Sequence, residues 1–314
     1  MPKVATVVFP GFQMVALGAQ TVFELANLVT GETSYTVHLV SIEGGMIASS
    51  LGFRVETQPL ADLDDIDTLL LLAGTDPPEQ QSAARLDMLR RHIAEARRTA
   101  GLCTGAFLLA QTGVLAGRRA TTHWSYAAAM RAAFPDILVE EDHIFVNEGP
   151  IWTSAGMTAG LDLAIALVEK DFGSEVARSV ARKLVMHHRR AGGQSQHSEL
   201  LALSPTSDRI QKALLHAQRN LRATLSVEQL AEVAHLSPRQ FSRAFRAETG
   251  QSPAKAIEQL RLEQARIMLA ESAHPIEVVA RETGFVDGRR MRGSFLRHYG
   301  QPPQMFRRHA RQAA

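Results

Sequence analysis

Apolar and polar residues follow two different periods along the first half of this chain. Strands are predicted at short, nearly continuous apolar runs, namely VATVVF, TVHLVSI, TLLLLAG, AGLC and IWTSAG. Amphipathic helices are predicted between them at QTVFELANL, QSAARLDMLRRHIAEARR and TAGLDLAIALVEKD. Since a run such as Thr68–Leu72 offers water no polar face, its strand is expected to be buried on both sides. The alternation predicts a doubly wound α/β domain with a mostly parallel sheet.

The strand pattern ends in the second half of the chain. A helical segment near Ser174–His188 is followed by residues 189–207, which are rich in Gly, Ser and Gln and are typical of a flexible linker. From Asp208 onward only helical periodicity remains. We therefore expect an α/β domain over residues 1–188, a linker over 189–207 and an all-α domain over 208–314, in line with the size at which a single core usually divides.

Charge divides the chain at the same place. The whole sequence has 34 Lys and Arg against 32 Asp and Glu, a net charge of +2. From Thr206 onward the net charge is +8, whereas the residues before it have a net charge of −6. A basic all-α half is typical of a segment that binds a polyanion such as nucleic acid.

An internal repeat organises the all-α half. The segment that starts at Arg239, RQFSRAFRAETGQSP, matches RRMRGSFLRHYGQPP, which starts 50 residues later at Arg289. Upstream, SVEQLAEVAHL matches PIEVVARETGF at an offset of 49, so one residue is inserted in the turn of the second copy. Each copy predicts a short helix, a turn, and a second helix that follows a capping residue, Ser237 or Asp287. Two helix-turn-helix units are therefore expected.

The second helix of the first unit has an apolar side and a basic side. Phe241 and Phe245 share the apolar side. The other side has a stripe of four residues at the spacings i, i+3, i+4 and i+7, which are Arg239, Ser242, Arg243 and Arg246. A helix-turn-helix places such a helix in the major groove of DNA, where arginine donates to guanine or holds phosphate. Two linked units predict contacts with successive major-groove segments of promoter DNA.

These segments also resemble a known family. SVEQLAEVAHLSPRQFSRAFRAETGQSP and VARETGFVDGRRMRGSFLRHYGQPPQMFR are similar to the DNA-binding domain of AraC/XylS-type transcription regulators. The resemblance implies that each second helix contacts bases through three residues, which are Arg239, Ser242 and Arg243 in the first helix and Arg289, Arg290 and Arg292 in the second. Gly293 departs from the pattern, because it stands where the first helix has Arg243. The second helix is therefore expected to hold mainly phosphate.

The α/β half resembles a second family, the PfpI-like branch of the class I glutamine-amidotransferase-like superfamily, in the form that GlxA-type regulators join to an AraC-type domain. The resemblance rests on the segments FPGFQM, LLLLAGT, GLCTGAFLLAQTGVLAGRRATTHW and IWTSAGMTAGLDLAIALVE. In enzymes of the superfamily a cysteine lies on a tight strand-to-helix turn, where helix amides can lower its pKa. Cys103, the single cysteine, has this context. The implied pocket is lined by Gly74, Thr75, Cys103, Thr104, His123 and Trp124, with Trp152 as a further candidate.

Three hypotheses for this half follow. Cysteine chemistry needs an acid or base near the thiol, for which His123 is the candidate, and an anion site, for which the amides of Gly74 and Thr104 are candidates. PfpI-like relatives have a carboxylate five residues after the glycine of the first turn, but Ala16 stands at that distance from Gly11. We therefore expect a ligand pocket without catalysis rather than a cysteine-dependent hydratase or amidase. A DNA-binding protein whose α/β domain only dimerises is the third alternative.

Other features restrict the partners. We expect no metal site, since the adjacent His187 and His188 point apart on a helix, and no cofactor, since no glycine-rich phosphate motif has the required context. The apolar runs fall short of the ~20 residues of a membrane helix and the first residues lack a signal-peptide pattern, so a cytoplasmic location is expected. The predicted partners are promoter DNA, a second copy of the chain and, for an activator, RNA polymerase, and the resemblance to GlxA-type regulators implies a small nitrogen-containing effector.

Overall fold

The structure of the protein is a computed structural model that describes residues 1–186, 192, 196, 203 and 205–312. Contacts divide the chain into two compact units, residues 1–196 and residues 197–312. Most of the predicted linker over residues 189–207 lies outside the described residues. Its boundaries stay predictions.

Among the described residues, the first unit is built on an eight-stranded sheet. Its strands are β1 (Lys3–Val8), β2 (Thr36–Ser41), β3 (Gly45–Ala48), β4 (Arg54–Pro59), β5 (Ile66–Leu72), β6 (Arg98–Leu102), β9 (Phe145–Glu148) and β10 (Ile151–Ser154), and a separate pair is formed by β7 (Arg119–Ala120) and β8 (Leu138–Val139). The order in the large sheet is β3-β4-β2-β1-β5-β6-β10-β9. Only the edge strands β3 and β9 run antiparallel to their neighbours. The predicted mostly parallel sheet is confirmed.

Helices cover both faces of this sheet. In residues 1–186 they are α1 (Gly18–Thr30), α2 (Ala83–Glu95), α3 (Gly105–Thr112), α4 (Trp124–Ala133) and α5 (Met157–Lys183). Successive residues of the central strands point to opposite faces. Val4 and Leu70 therefore pack in the core under α1 and α5, while Ala5 and Leu69 pack in the core under α2 and α3. This is the doubly wound arrangement that the sequence pattern predicts.

Two features of the first unit differ from the simplest expectation. The pattern predicts no strands at β3, β4 or β9, because these short strands pair near the edges of the sheet and their residues are largely half-buried or exposed. Helix α5 is interrupted at Gly173, whose φ of 79° lies outside the helical region. The two parts match the separate helical patterns TAGLDLAIALVEKD and Ser174–His188 of the sequence.

A buried ionic network holds the end of α5 that precedes this interruption. The Arg98 guanidinium pairs with Asp171 at 2.5 Å, and the Tyr35 hydroxyl donates to the same carboxylate at 2.6 Å. Arg97 pairs with it at 3.0 Å. Burial by itself would raise the pKa of Asp171, but the hydrogen bonds from Arg97, Arg98 and Tyr35 outweigh burial and lower the pKa below its ordinary value. Arg98 begins β6, so this network and Cys103 lie at opposite ends of that strand.

In the second unit the described residues form helices only. These are α6 (Asp208–Arg219), α7 (Val227–Val233), α8 (Pro238–Thr249), α9 (Pro253–Glu271), α10 (Ile276–Glu282), α11 (Gly288–Tyr299) and α12 (Pro303–Gln312). The bounds of α10 follow those of α7 by 49 residues, and the bounds of α11 follow those of α8 by 50. The extra residue of the second turn is Val286, which is 78% exposed. The repeat of two helix-turn-helix units is confirmed, and so is the fold class of the unit.

Helix α9 joins the two helix-turn-helix units through two cores. Phe241 and Phe245 of α8 pack with Leu260 of α9 in the first core. Met291 and Phe295 of α11 occupy the equivalent places in the second core, against residues nearer the end of α9 such as Leu269. Each second helix therefore buries its apolar side and leaves its opposite side to solvent.

Candidate functional site

Cys103 occupies a tight turn between β6 and α3. Its φ is 55°, in the left-handed region that non-glycine residues rarely adopt. The turn needs glycine on its helical side, because a Cβ on Gly105 would lie 2.1 Å from the carbonyl oxygen of Leu71. The Cys103 amide donates to the carbonyl oxygen of Ser154 at 3.0 Å. The strand-to-helix turn implied by the sequence resemblance is therefore present, with unusual backbone strain at the cysteine itself.

The environment of the thiol works against its ionisation. Burial raises the pKa of Cys103 above its ordinary value of 9.0, and a hydrogen bond with the backbone at Thr104 opposes this rise only in part. The helix amides therefore do not give the lowered pKa that such a turn can produce. At neutral pH the side chain is a thiol, which is a poor nucleophile.

Tyr126 and Asp76 form a hydrogen-bonded pair whose phenol also senses the charge of Cys103. The Tyr126 hydroxyl donates to Asp76 Oδ1 at 2.7 Å. That hydrogen bond, then burial, then the charges of Asp76 and Cys103 raise the pKa of Tyr126. The phenol and the carboxylate therefore interact directly, although they come from α4 and the loop after β5. Neither Tyr126 nor Asp76 was among the residues predicted from sequence. Their nearest sequence cues are proximity to His123 and Gly74.

His123 caps the start of α4. Its Nδ1 accepts from the Ser125 amide at 3.3 Å and lies 2.7 Å from the Ser125 hydroxyl. The other side of the ring packs on Gly156, where a Cβ would lie only 3.0 Å from His123 Cδ2. The ring is also 5.5 Å from Trp124 and 6.2 Å from Tyr126, measured between centroids. The rings of His123, Trp124 and Tyr126 therefore form an aromatic cluster, in which Trp124 is 50% exposed.

The remaining pocket residues predicted from sequence fall in different surroundings. Thr104 is buried and donates to the Gly74 carbonyl at 2.7 Å, while Thr75 is exposed on the following loop. The Trp152 side chain is buried in the core and stacks on Phe145 with centroids 6.0 Å apart, so it offers no open face to a ligand. It faces the α5 side of the sheet under Lys170, where it packs in the core instead of lining the predicted pocket.

The first helix-turn-helix unit presents an ordered basic surface on α8. Ser237 accepts from the Gln240 amide, and Gln240 in turn accepts from the Ser237 amide, so the start of the helix is capped reciprocally. Arg239, Arg243 and Arg246 are exposed and Ser242 is half-buried on the side opposite the phenylalanines.

Helix α11 presents the equivalent surface of the second unit. Asp287 caps it by accepting from the Arg290 amide at 2.7 Å. The side chains of Arg289, Arg290 and Arg292 are exposed. Within the described part of the chain, no acidic side chain forms an ion pair with these three or with Arg239, Arg243 and Arg246. Both helices therefore offer uncompensated guanidinium groups, which suit phosphate and guanine.

The described residues offer neither a metal site nor a membrane span. Within them, no group of three or more His, Cys, Asp or Glu is arranged to hold a metal ion. His187, His188 and His197 lie outside the described residues. Of the helices the structure describes, none has the length and apolar character needed to cross a bilayer.

Comparison with known proteins matches both units. Residues 3–170 match the DJ-1/PfpI family, and residues 230–309 match a helix-turn-helix domain family. The HTH-type transcriptional regulator GlxA of Rhizobium meliloti is 30% identical over 90% of this chain and 88% of its own. The HTH-type transcriptional regulator CdhR of Pseudomonas aeruginosa is 29% identical over 88% of this chain and 82% of its own.

Two further comparisons concern the first unit. An isonitrile hydratase of Pseudomonas putida is 31% identical, over 47% of this chain and 64% of its own. The crystal structure of an AraC family transcriptional regulator from Pseudomonas putida superposes with a TM-score of 0.53 at 22% identity, covering 59% of this chain and all of that one. At this identity the structural likeness concerns the fold.

Proposed function

The chain belongs to the DJ-1/PfpI family and is an HTH-type transcriptional regulator, and on this premise we propose that its α/β domain binds a small effector that changes promoter binding by its helix-turn-helix domain. We assign effector binding to residues 1–188, a linker to residues 189–207 and DNA binding to residues 208–314. The observation that supports this assignment is the presence of two uncompensated basic helices in one unit and of a buried, non-ionised cysteine turn in the other.

The proposed DNA contacts use the exposed sides of α8 and α11. Arg239, Ser242, Arg243 and Arg246 face one major-groove segment, and Arg289, Arg290 and Arg292 face the next, about one helical turn away. Because these exposed arginines have no acidic partners among the described residues, no ion pair has to break when they bind DNA. Their binding free energy is therefore not reduced by the cost of breaking one. Each phosphate they neutralise releases counterions, so binding should weaken steeply with salt.

The proposed effector is a cationic nitrogen compound. Gly74, Thr75, Cys103, Thr104, His123 and Trp124 would line its pocket, together with Tyr126 and Asp76. Trp124 offers a half-exposed aromatic face, and the Asp76 carboxylate supplies the negative charge that an ammonium group requires. A further acceptor lies near the same loop. The backbone N–H of Gln13 donates to the Ala73 carbonyl, and the buried side-chain Oε1 of Gln13 accepts no hydrogen bond from the described residues.

Catalysis is not part of the proposal. A cysteine nucleophile requires a thiolate, whereas burial raises the pKa of Cys103. The position at which PfpI-like relatives have a carboxylate is Ala16, which is buried in a 3-10 turn over Met14–Leu17. The isonitrile hydratase is the specific observation that favours the alternative, a cysteine-dependent hydratase or amidase joined to a DNA-binding domain.

The partners of the intact regulator follow from its class. We propose that it acts as a homodimer, which would place two pairs of helix-turn-helix units on adjacent DNA sites. If it activates transcription, RNA polymerase is its further partner.

Promoter binding by the intact protein and its Cys103→Ala variant tests the proposal. Duplex DNA from upstream of its own gene and neighbouring genes would be titrated with and without pooled amino acids and quaternary amines. We expect one pool to change the affinity of both proteins alike. A response by the wild type alone, with a product formed from that pool, would support the hydratase or amidase. Unchanged binding with every pool would support a constitutive regulator, and no binding at low salt would refute the assignment of the DNA contacts.

A further inference from the structure

The two recognition helices are equivalent in position but not in chemistry. At the offset of 50 residues, Arg289 of α11 takes the place of Arg239 in α8, and Arg292 takes the place of Ser242. The last two places of the stripe change most, because Arg243 is replaced by Gly293 and Arg246 is replaced by Leu296. The stripe on α8 is basic along its length, while the stripe on α11 is basic only in its first half. We call Gly293 and Leu296 the apolar strip.

Leu296 has no role in the core that would explain its side chain. The second core is filled by Met291 and Phe295, which are fully buried on the other side of α11. Leu296 itself is 48% exposed, next to three arginines on the proposed DNA-facing side of the helix. Exposure of a leucine to water is unfavourable, and this side chain is shielded from water only when a partner covers it.

Gly293 leaves the backbone beside Leu296 uncovered. A Cβ added there would meet one atom within 4 Å, Arg297 Nη1 at 3.5 Å, so the position is open rather than crowded. Arg297 is itself engaged with α9, since its Nη2 donates to Glu258 at 3.2 Å and to the Ser294 hydroxyl at 2.9 Å. Its charge is therefore partly neutralised. The middle of the exposed side of α11 therefore consists of the apolar Leu296 side chain and the backbone of Gly293, which no side chain covers.

We propose that the apolar strip recognises the 5-methyl group of a thymine in the DNA segment that α11 contacts. This methyl group is the apolar feature of the major groove, and a leucine side chain is complementary to it, whereas Arg243 at the equivalent place of α8 suits guanine. The missing side chain at Gly293 lets the helix approach the base closely enough for Leu296 to cover the methyl group. The two units then prefer different bases. This inference rests on the proposed DNA contacts of α11.

Uracil substitution provides the test, because uracil differs from thymine only by the methyl group. Binding sites would first be selected from a random duplex library with the full-length protein. In the selected site, each thymine of the α11 segment would be replaced in turn by uracil and the affinity measured. For the wild type we expect one replacement to weaken binding about fourfold, the factor associated with burial of one methyl group. The Leu296→Ala variant should bind the two duplexes equally.

Matched variants keep the outcomes distinct. Leu296→Met retains an apolar side chain and should retain the preference for thymine over uracil. Gly293→Arg restores the arginine of α8, and should replace the thymine preference by a preference for guanine at a neighbouring position. A wild type that is insensitive to every uracil in the α11 segment would overturn the inference, as would equal sensitivity of Leu296→Ala. Failure of the wild type to select any DNA would instead refute the proposed DNA contacts.

Discussion

His235 and Gly284 have the same left-handed backbone conformation, with φ values of 53° and 81°, at equivalent places in the two helix-turn-helix units. Each lies directly before the apolar residue of the turn, and the two are 49 residues apart. Their surroundings differ. A Cβ on Gly284 would lie 1.8 Å from the carbonyl oxygen of Leu221, so this turn packs against the loop that precedes α7. The geometry of the turn therefore requires a positive φ in both units, and close packing requires glycine in the second.

We expect substitutions at these two positions to have opposite effects on stability. His235→Gly should raise the free energy of unfolding by about 0.5 to 1 kcal/mol, because it removes left-handed strain from a residue with a Cβ. Gly284→Ala should lower it by about 3 kcal/mol or more, because strain and a backbone clash combine. Urea unfolding of the full-length protein would measure both. Gly250→Ala is the control, since its φ is 74° but nothing lies within 4 Å of the added Cβ, and about 1 kcal/mol is expected.

Arg243→Ala should separate base recognition from phosphate binding on α8. If Arg243 donates to a guanine, the variant should lose about 1 to 3 kcal/mol of binding free energy on the selected site, with relaxed preference at one base pair. Titrations on the selected site and on single-base variants would show this. An equal loss on every duplex, with a shallower salt dependence, would mean that Arg243 holds phosphate only. Arg209→Ala, an exposed arginine on α6, is the matched control.

Cys103 should react slowly with alkylating agents. Because the thiolate is the reactive form and burial raises the pKa of this thiol, the pH at which alkylation reaches half its maximal rate should lie above 9.0. The thiolate fraction at pH 7.5 falls about tenfold for each unit by which a thiol pKa rises. Iodoacetamide labelling of the native protein followed by mass spectrometry reports on this residue alone, since the chain has one cysteine. A rate above that of free cysteine would revive the enzyme hypothesis.

The Asp76 carboxylate, which accepts a hydrogen bond from Tyr126, should be required for the effector response. Asp76→Asn removes the carboxylate that we assign to the cationic effector and should weaken effector binding at least about tenfold. Tyr126→Phe keeps that charge and should have a smaller effect. Calorimetry with the compound found in the promoter assay would measure both affinities. DNA binding without effector should be unchanged in each variant. Glu79→Gln, on the same loop, controls for a general loss of negative charge, and an equal effect there would exclude Asp76 as the specific partner.

The network around Asp171 should make the free energy of unfolding depend on pH. Its pKa is lowered in the folded protein, so its contribution is present above the unfolded pKa and is lost as the pH falls through the folded pKa. Asp171→Asn should therefore cost about 3 kcal/mol at pH 7, because Arg98 is left buried without its partner, and the difference from wild type should narrow below pH 4. Urea unfolding between pH 3 and 7 would show the trend. Asp87→Asn, in an exposed pair with Arg90, should cost less than about 0.5 kcal/mol at either pH.

The residues of the proposed effector pocket show where sequence patterns stop being informative. Cys103 and His123 were predicted because their segment resembles a known family. Tyr126 and Asp76 were not, because they are 50 residues apart in sequence and meet only when α4 packs near the loop after β5. The direction in which the pKa of Cys103 shifts likewise depends on how deeply the turn is buried, and burial is a property of the packed structure. Trp152 was suggested for the pocket although its strand directs it into the core.

Local sequence patterns are enough to predict β1, β2, β5, β6 and β10, the main helices and the repeated helix-turn-helix units, because period, caps and turn residues act within a few positions of the chain. They also determined the basic stripe on α8, since spacing alone places residues on one side of a helix. The edge strands, the ionic network at Asp171 and the contact of Gly284 with Leu221 become visible only in the folded protein. Each of these depends on atoms that are distant in sequence, and their close packing follows from the way the elements assemble rather than from any local pattern.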